Sequence, residues 1–272
     1  MASDSLRMAQ GTARAFGGAL LFAFPLLMTM EMWQLGYAAH PARLALFLAL
    51  SIPALVALSH YSGFEATFGW REDVMDAFAA IAIGAVTAAL MLSLFGLVGP
   101  GQSVTELNGT IAIQTVPAAI GAMVARRQFA GDRGQGPTDE EGPASYAGEL
   151  FLMGMGAFYV AFNVAPTEEM VAIAYTMTPL HSAALLLLSL TVLHAIVYAV
   201  GFRGQHAPER DSQLSLVLHF TLPGYAVALA MSLYVLWTFG RLDGVGIEET
   251  ISTVTVLGFP ASLGAAVARL VV

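Results

Sequence analysis

The sequence predicts an all-α integral membrane protein of eight transmembrane helices, built as two parallel-oriented four-helix repeats related by a pseudo-two-fold axis along the membrane normal. Three observations predict it. Of the 272 residues, 57% are hydrophobic and 11% charged, whereas a soluble domain carries roughly a quarter charged residues. Apolar runs recur along the chain, each close to the roughly 20 residues that a helix needs to cross a hydrocarbon core. Finally, motifs of the first half return in the second half in the same order.

The apolar runs fall at 15–34, 42–62, 73–97, 104–126, 148–172, 178–202, 212–239 and 247–271. The first could pass for a signal peptide, since Arg7 and Arg14 precede "AFGGALLFAFPLL". No small-residue cleavage site follows at once and a matching segment recurs mid-chain, so it reads as a permanent helix. Short loops join the runs, except for a polar stretch at 127–147 rich in turn formers. That stretch reads as a linker on the cytoplasmic side between a first repeat, 1–126, and a second, 148–272. Orientation follows from arginine, the chain's only basic residue apart from histidine. Arg7, Arg14, Arg71, Arg126, Arg127, Arg133, Arg203, Arg210 and Arg269 fall on one side, and Arg43 and Arg241 on the other. The positive-inside rule then makes both termini cytoplasmic.

The repeat is visible residue by residue. "GALLFAFPLLMTMEMWQLG" (18–36) lies over "GAFYVAFNVAPTEEMVAIA" (156–174), pairing Thr29 with Thr167 and Glu31 with Glu169. The register continues through Pro41 and Pro179 to Gly63-Phe64 and Gly201-Phe202. After a short shift Glu106 meets Glu249, Pro117 meets Pro260, Gly121 meets Gly264 and Arg126 meets Arg269. The third run of each half aligns poorly. An even number of spans per copy makes the copies parallel, the repeat class whose axis lies along the membrane normal.

"FPLLMTMEMW", "AFNVAPTEEM" and "VLGFPASLGAAVARL" carry a resemblance as well. Over essentially its whole length the chain resembles a family of uncharacterised bacterial integral membrane proteins, a membrane domain of unknown function. The resemblance implies a bacterial membrane protein and no particular activity; the expected location is the bacterial cytoplasmic membrane.

The chain has no cysteine and no lysine. This excludes disulfides, thiolate metal sites, covalent haem and any lysine Schiff base. A net charge of −8 argues against nucleic acid as a partner. No zinc-protease motif, nucleophile elbow, phosphate loop or dinucleotide fingerprint occurs, so an enzyme is not expected. The expected partners are the lipid bilayer and an inorganic cation, with homo-oligomerisation left open.

What calls for chemistry is carboxylate inside apolar sequence. At mid-membrane an acidic side chain costs roughly 2.5–3.5 kcal/mol. Read as C-terminal residues of spans one and five, where the helix dipole disfavours negative charge, Glu31 and Glu169 fall in the outer third of the bilayer, with Glu168 beside the latter. Glu106 and Glu249 begin spans four and eight at a similar height. Carboxylates, carbonyls and hydroxyls are ligands for a hard cation. Thr29 and Thr167 offer hydroxyls, and Pro25 and Pro166 free the carbonyls four residues earlier. Asn108 and Gln114 belong to a polar line on span four, continued by Ser252, Thr253 and Thr255 on span eight, and Pro117 and Pro260 provide matched kinks. The expected function is a cation channel or transporter with an acidic outer mouth, Ca²⁺ favoured over H⁺ or a monovalent ion and Glu31 and Glu169 as metal ligands. The alternative is a non-transporting membrane sensor or assembly protein. Glu106, Glu248 and Glu249 also read as solvated charges at helix N-termini, as do Asp73 and Asp76 at the start of span three. His194 and His219 form a candidate proton relay, and each equally reads as a hydrogen-bonded core histidine.

Overall fold

Because backbone polar groups find no water in hydrocarbon, an apolar chain of this kind must satisfy them internally, and helices do so within each segment. Every described element of the protein is a helix. The structure is a computed structural model and describes residues 2–62, 69–99, 101–128, 145–199 and 213–271. The middle of the expected linker, 129–144, and the segment with Arg203 and Arg210 lie outside them. The chain divides into two compact units, Met1–Pro143 and Ala144–Val272.

The first unit contains α1 (Ala2–Leu27), α2 (Met30–Ala38), α3 (Pro41–Ser62), α4 (Trp70–Leu94) and α5 (Val104–Gln128). The second contains α6 (Tyr146–Val164), α7 (Glu168–Thr176), α8 (Pro179–His194), α9 (Gln213–Leu216), α10 (Leu222–Thr238) and α11 (Ile247–Val271). A π-helical turn, Ala195–Ala199, follows α8, and another, Val217–Thr221, joins α9 to α10. Among the described residues seven helices are long and apolar enough to cross a membrane, or eight if α1 and α2, bent by 87° at their junction, count as one span. The protein is thus an all-helical, multi-pass membrane protein.

Two expected spans need correction. The run 15–34 is not one helix, since α1 stops at Leu27 and α2 starts at Met30. The run 148–172 likewise stops at Val164 and restarts at Glu168. Mean hydropathy along each run does not register either interruption.

In the first unit α5 is the axis, packed by α1, α2, α3 and α4, and it is the most buried span of that unit. In the second, α11 holds the same place among α6, α7, α8 and α10. Membrane helices gain little hydrophobic energy from one another, so close van der Waals approach decides the packing, and small residues permit it. A Cβ at Gly18 of α1 would collide with the Gly121 carbonyl and the Ala125 methyl of α5. A Cβ at Gly156 of α6 would collide with the Gly264 carbonyl and the Ala268 methyl of α11. Large side chains such as Met75, Phe78, Val86, Leu187 and Leu188 are exposed; in lipid they meet acyl chains rather than water.

α4 and α10 end alike. Gly96 and Gly240 both take φ of 70°, the left-handed stop at which glycine has no Cβ to strain. The Leu97 amide then donates to Leu92 O at 2.9 Å, and the Arg241 amide to Leu236 O at 2.9 Å.

Candidate functional site

The two interruptions concentrate what a membrane protein must account for, because each helix end leaves backbone groups without intrahelical partners. In the first unit Pro25, near the end of α1, has no N–H to offer its own helix. The carbonyls left over at the end of α1 are met one by one. Thr29 Oγ1 donates to Pro25 O at 2.5 Å, Gln114 Nε2 of α5 to Leu26 O at 3.1 Å, and Trp33 Nε1 of α2 to Leu27 O at 2.9 Å. Gln114 is fully buried, and its Oε1 has no partner. Thr29 stands at the N-cap of α2 in extended conformation, and Glu31, half-buried, is in the first turn.

This reverses the expectation for Glu31. The sequence reading places it at the C-terminal end of a helix, where the dipole opposes it; in the structure it begins a helix, where the dipole favours it. The same holds for Glu168 and Glu169, both exposed in the first turn of α7 with Thr167 as N-cap.

The interruption in the second unit is closed differently. Pro166 lies between the helices rather than inside one, so it is no mid-helix kink. Thr167 Oγ1 donates to Val164 O at 2.8 Å, and Asn163 Nδ2 to Tyr159 O at 2.8 Å. The Pro166 carbonyl accepts from Nη2 of Arg241, reaching in from just past the end of α10. Arg241 Nε is buried and has no partner. A guanidinium therefore sits at the break that leads into Glu168 and Glu169. The sequence reading gives Arg241 no such role; its one signal is that so few arginines share its side of the chain.

The short helices dock on the axial helices through small contacts. A Cβ at Gly109 would strike the Gly36 carbonyl, and Ser252 Oγ donates to Ala174 O at 2.9 Å. Other expected ligands are engaged otherwise. Glu106 closes a capping box: the Ser103 amide donates to Glu106 Oε2 at 3.0 Å, and the Glu106 amide to Ser103 Oγ at 3.2 Å. Glu248 and Glu249 are exposed in the first turn of α11. They also line a cavity of about 690 Å³ whose polar wall includes Ser182, Ser252 and Thr255.

The polar line is mostly inward-satisfied. Thr110, Thr115, Thr253 and Thr255 each donate to the carbonyl four residues earlier, at 2.7–2.9 Å, which is how hydroxyls are accommodated in apolar helices. Asn108 is exposed. Pro117 and Pro260 lie inside α5 and α11, which continue past them. His194 Nδ1 meets Thr221 Oγ1 at 2.9 Å, and His219 Nδ1 meets Ser215 O at 3.0 Å. Each histidine thus has a partner beside a π-helical turn, a feature frequent at functional positions. Among the described residues no three His, Asp or Glu side chains gather as a metal site.

In comparisons with the curated proteins and with the solved structures, nothing matches the chain. Against family models, residues 11–272 match the family described as "Putative integral membrane protein (DUF2391)", and the chain belongs to that family.

Proposed function

We propose that the protein carries a cation across a bacterial cytoplasmic membrane through acidic sites at the interrupted helices of two parallel repeats, with both termini cytoplasmic. Transporter sites are commonly built from discontinuous helices, whose ends bring charge and backbone oxygens to one depth. The observation that carries the reading is the break between α1 and α2: half-buried Glu31 follows it at once, and the buried, unpartnered Gln114 Oε1 lies behind it. Glu31 and Glu169 are the central ligands, each in its own unit, with Thr29 and Thr167 as auxiliary oxygens. Ca²⁺ is favoured over H⁺ or a monovalent ion on ligand type. The shared helix–break–short-helix order and the Gly18–Gly121 and Gly156–Gly264 crossings support the repeat.

Purified protein in proteoliposomes should pass Ca²⁺, H⁺ or K⁺ down an imposed gradient, and the double variant Glu31→Gln/Glu169→Gln should lose that flux. Undiminished flux in the variant sinks the assignment.

One observation favours a second reading, a non-transporting sensor or assembly protein. The carbonyls of Pro25, Leu26, Leu27 and Pro166 all have side-chain donors already, which suits a permanent bend better than a site that trades ligands with an ion. Absence of flux for every cation tested, from protein that remains folded, selects this reading.

A further inference from the structure

Away from the breaks, where α3 meets the start of α4, one carboxylate is buried without adequate compensation. Asp73, in the first turn of α4, is 2% exposed. His60 Nδ1 approaches its Oδ2 at 3.4 Å, long for a hydrogen bond. Its Oδ1 is buried with no partner. Buried carboxylates are ordinarily paired or fully hydrogen-bonded. The sequence between α3 and α4, "GFEATFG" (63–69), contains no basic residue, and Arg71, just beyond it, is exposed. The chain therefore offers Oδ1 no cation of its own from that loop.

Beside Asp73 opens a groove of about 510 Å³ lined by Ile52, Pro53, Val56 and Ala57, then His60, Tyr61 and Trp70. The α3 residues recur at helical spacing, so they form one apolar strip running from within a membrane span to the carboxylate. Trp70, 70% exposed, and Tyr61 stand at the carboxylate end. Aromatic residues of this kind favour the headgroup level of a bilayer and attract cations to their faces.

We propose that this groove binds a phospholipid with a primary ammonium headgroup. The ammonium donates to the Asp73 carboxylate where it lines the groove, the aromatic pair flanks it, and an acyl chain lies along Ile52, Pro53 and Val56. Two features set the headgroup chemistry. A metal ion would need several oxygen ligands, and among the described residues Asp73 is the one carboxylate lining the groove; a quaternary ammonium has no N–H to donate to it. Primary amine is thus selected over choline and over anionic glycerol headgroups.

The test is native mass spectrometry of the full chain, delipidated in detergent and offered equimolar phosphatidylethanolamine, phosphatidylcholine and phosphatidylglycerol of matched acyl chains. Phosphatidylethanolamine should be retained about tenfold over phosphatidylcholine, the scale of one charge-assisted hydrogen bond. Asp73→Asn should erase that preference, and Trp70→Leu, at an exposed position, should weaken retention with folding intact. Equal retention of the three lipids by the unaltered protein overturns the proposal, whatever the folding of Asp73→Asn. So does an Asp73→Asn protein that keeps the preference. Displacement of the lipid by an equal concentration of soluble phosphoethanolamine would assign the site to a free amine and equally overturn the lipid assignment.

Discussion

The two interrupted helices solve one problem with different chemistry. In the first unit the carbonyls at the end of α1 are met by neutral donors: a threonine hydroxyl, a glutamine amide and an indole N–H. In the second, the Pro166 carbonyl is met by a guanidinium from beyond α10. The donors stand at different places in the two units, matched by the glycine stops and by the aligned axial helices. Where the second half has Arg241 after Phe239-Gly240, the first has Leu97 after Phe95-Gly96; where the first has Gln114, the second has Leu257. Each unit therefore keeps one long-range donor for its break and has an apolar residue where the other unit's donor stands. The geometry of the break is the shared requirement, and the charge beside it is what differs.

The shared part is the easiest to break. Replacing Gly121 or Gly264 by valine puts a Cβ into the carbonyl of Gly18 or Gly156, and backbone cannot yield as a side-chain tip can. We expect each substitution to cost about 3 kcal/mol or more, read as a loss of folded yield or thermal stability in detergent. Nearly equal losses would support equivalent crossings in the two units; a large loss at one position only would separate them.

The exchange of donors gives an unequal pair. Arg241→Leu installs the residue of the first half and strips the Pro166 carbonyl of its guanidinium donor, an expected cost of roughly 1–3 kcal/mol. Gln114→Leu is the reciprocal change and should cost less, within about 1 kcal/mol. The Leu26 carbonyl retains the Thr29 amide as a donor, and the substitution also removes an unpartnered buried oxygen. Thermal unfolding of both variants checks the order. A Gln114→Leu loss equal to that of Arg241→Leu would mean that Gln114 Oε1 holds something that stabilises the fold.

Trp33→Phe sharpens the first unit alone. It keeps an aromatic ring and removes the Nε1 donor from Leu27 O, so about 1 kcal/mol should be lost in thermal unfolding. Burial of Leu27 and Met32 on either side of the break leaves little access for water to replace the bond.

Much of this is legible in the sequence, and the exceptions share a cause. α3, α4, α5 and α11 follow the apolar runs closely because a span's length is set by the bilayer. The breaks are hidden because hydropathy does not register a turn made of Met28 and Thr29, two residues that also occur within helices. A signal for them does exist: Thr29 with Glu31, and Pro166-Thr167 with Glu168 and Glu169, have the residue order of a helix start, an N-cap threonine followed by acid in the first turn. Read for charge cost, the same residues suggest ligands; read for capping, they locate two helix N-termini. The third span of the second unit also carries a π-helical turn before α10, which α4 lacks. Asp73 does begin a helix, as its place in the sequence implies, but its burial is not legible there. A first-turn carboxylate reads as solvated, and only the packing of α3 against α4 decides otherwise.

The smallest expected effect decides most about Glu106 and Glu249. Glu106 accepts the Ser103 amide in a capping box, and glutamine can take the same place. Glu106→Gln should therefore change stability by only about 0.3–1 kcal/mol, the part owed to negative charge at a helix N-terminus. Glu249, at the matching place in α11, has Gly246 rather than serine ahead of it, and Glu249→Gln should lose a similar amount. Because the fold barely responds, any fall in cation flux in these two variants reports on charge at the mouth of a path rather than on damage to the helices. Flux that is unchanged in both, with Glu31→Gln/Glu169→Gln inactive, confines the functional carboxylates to the breaks and leaves Glu106 and Glu249 as helix caps.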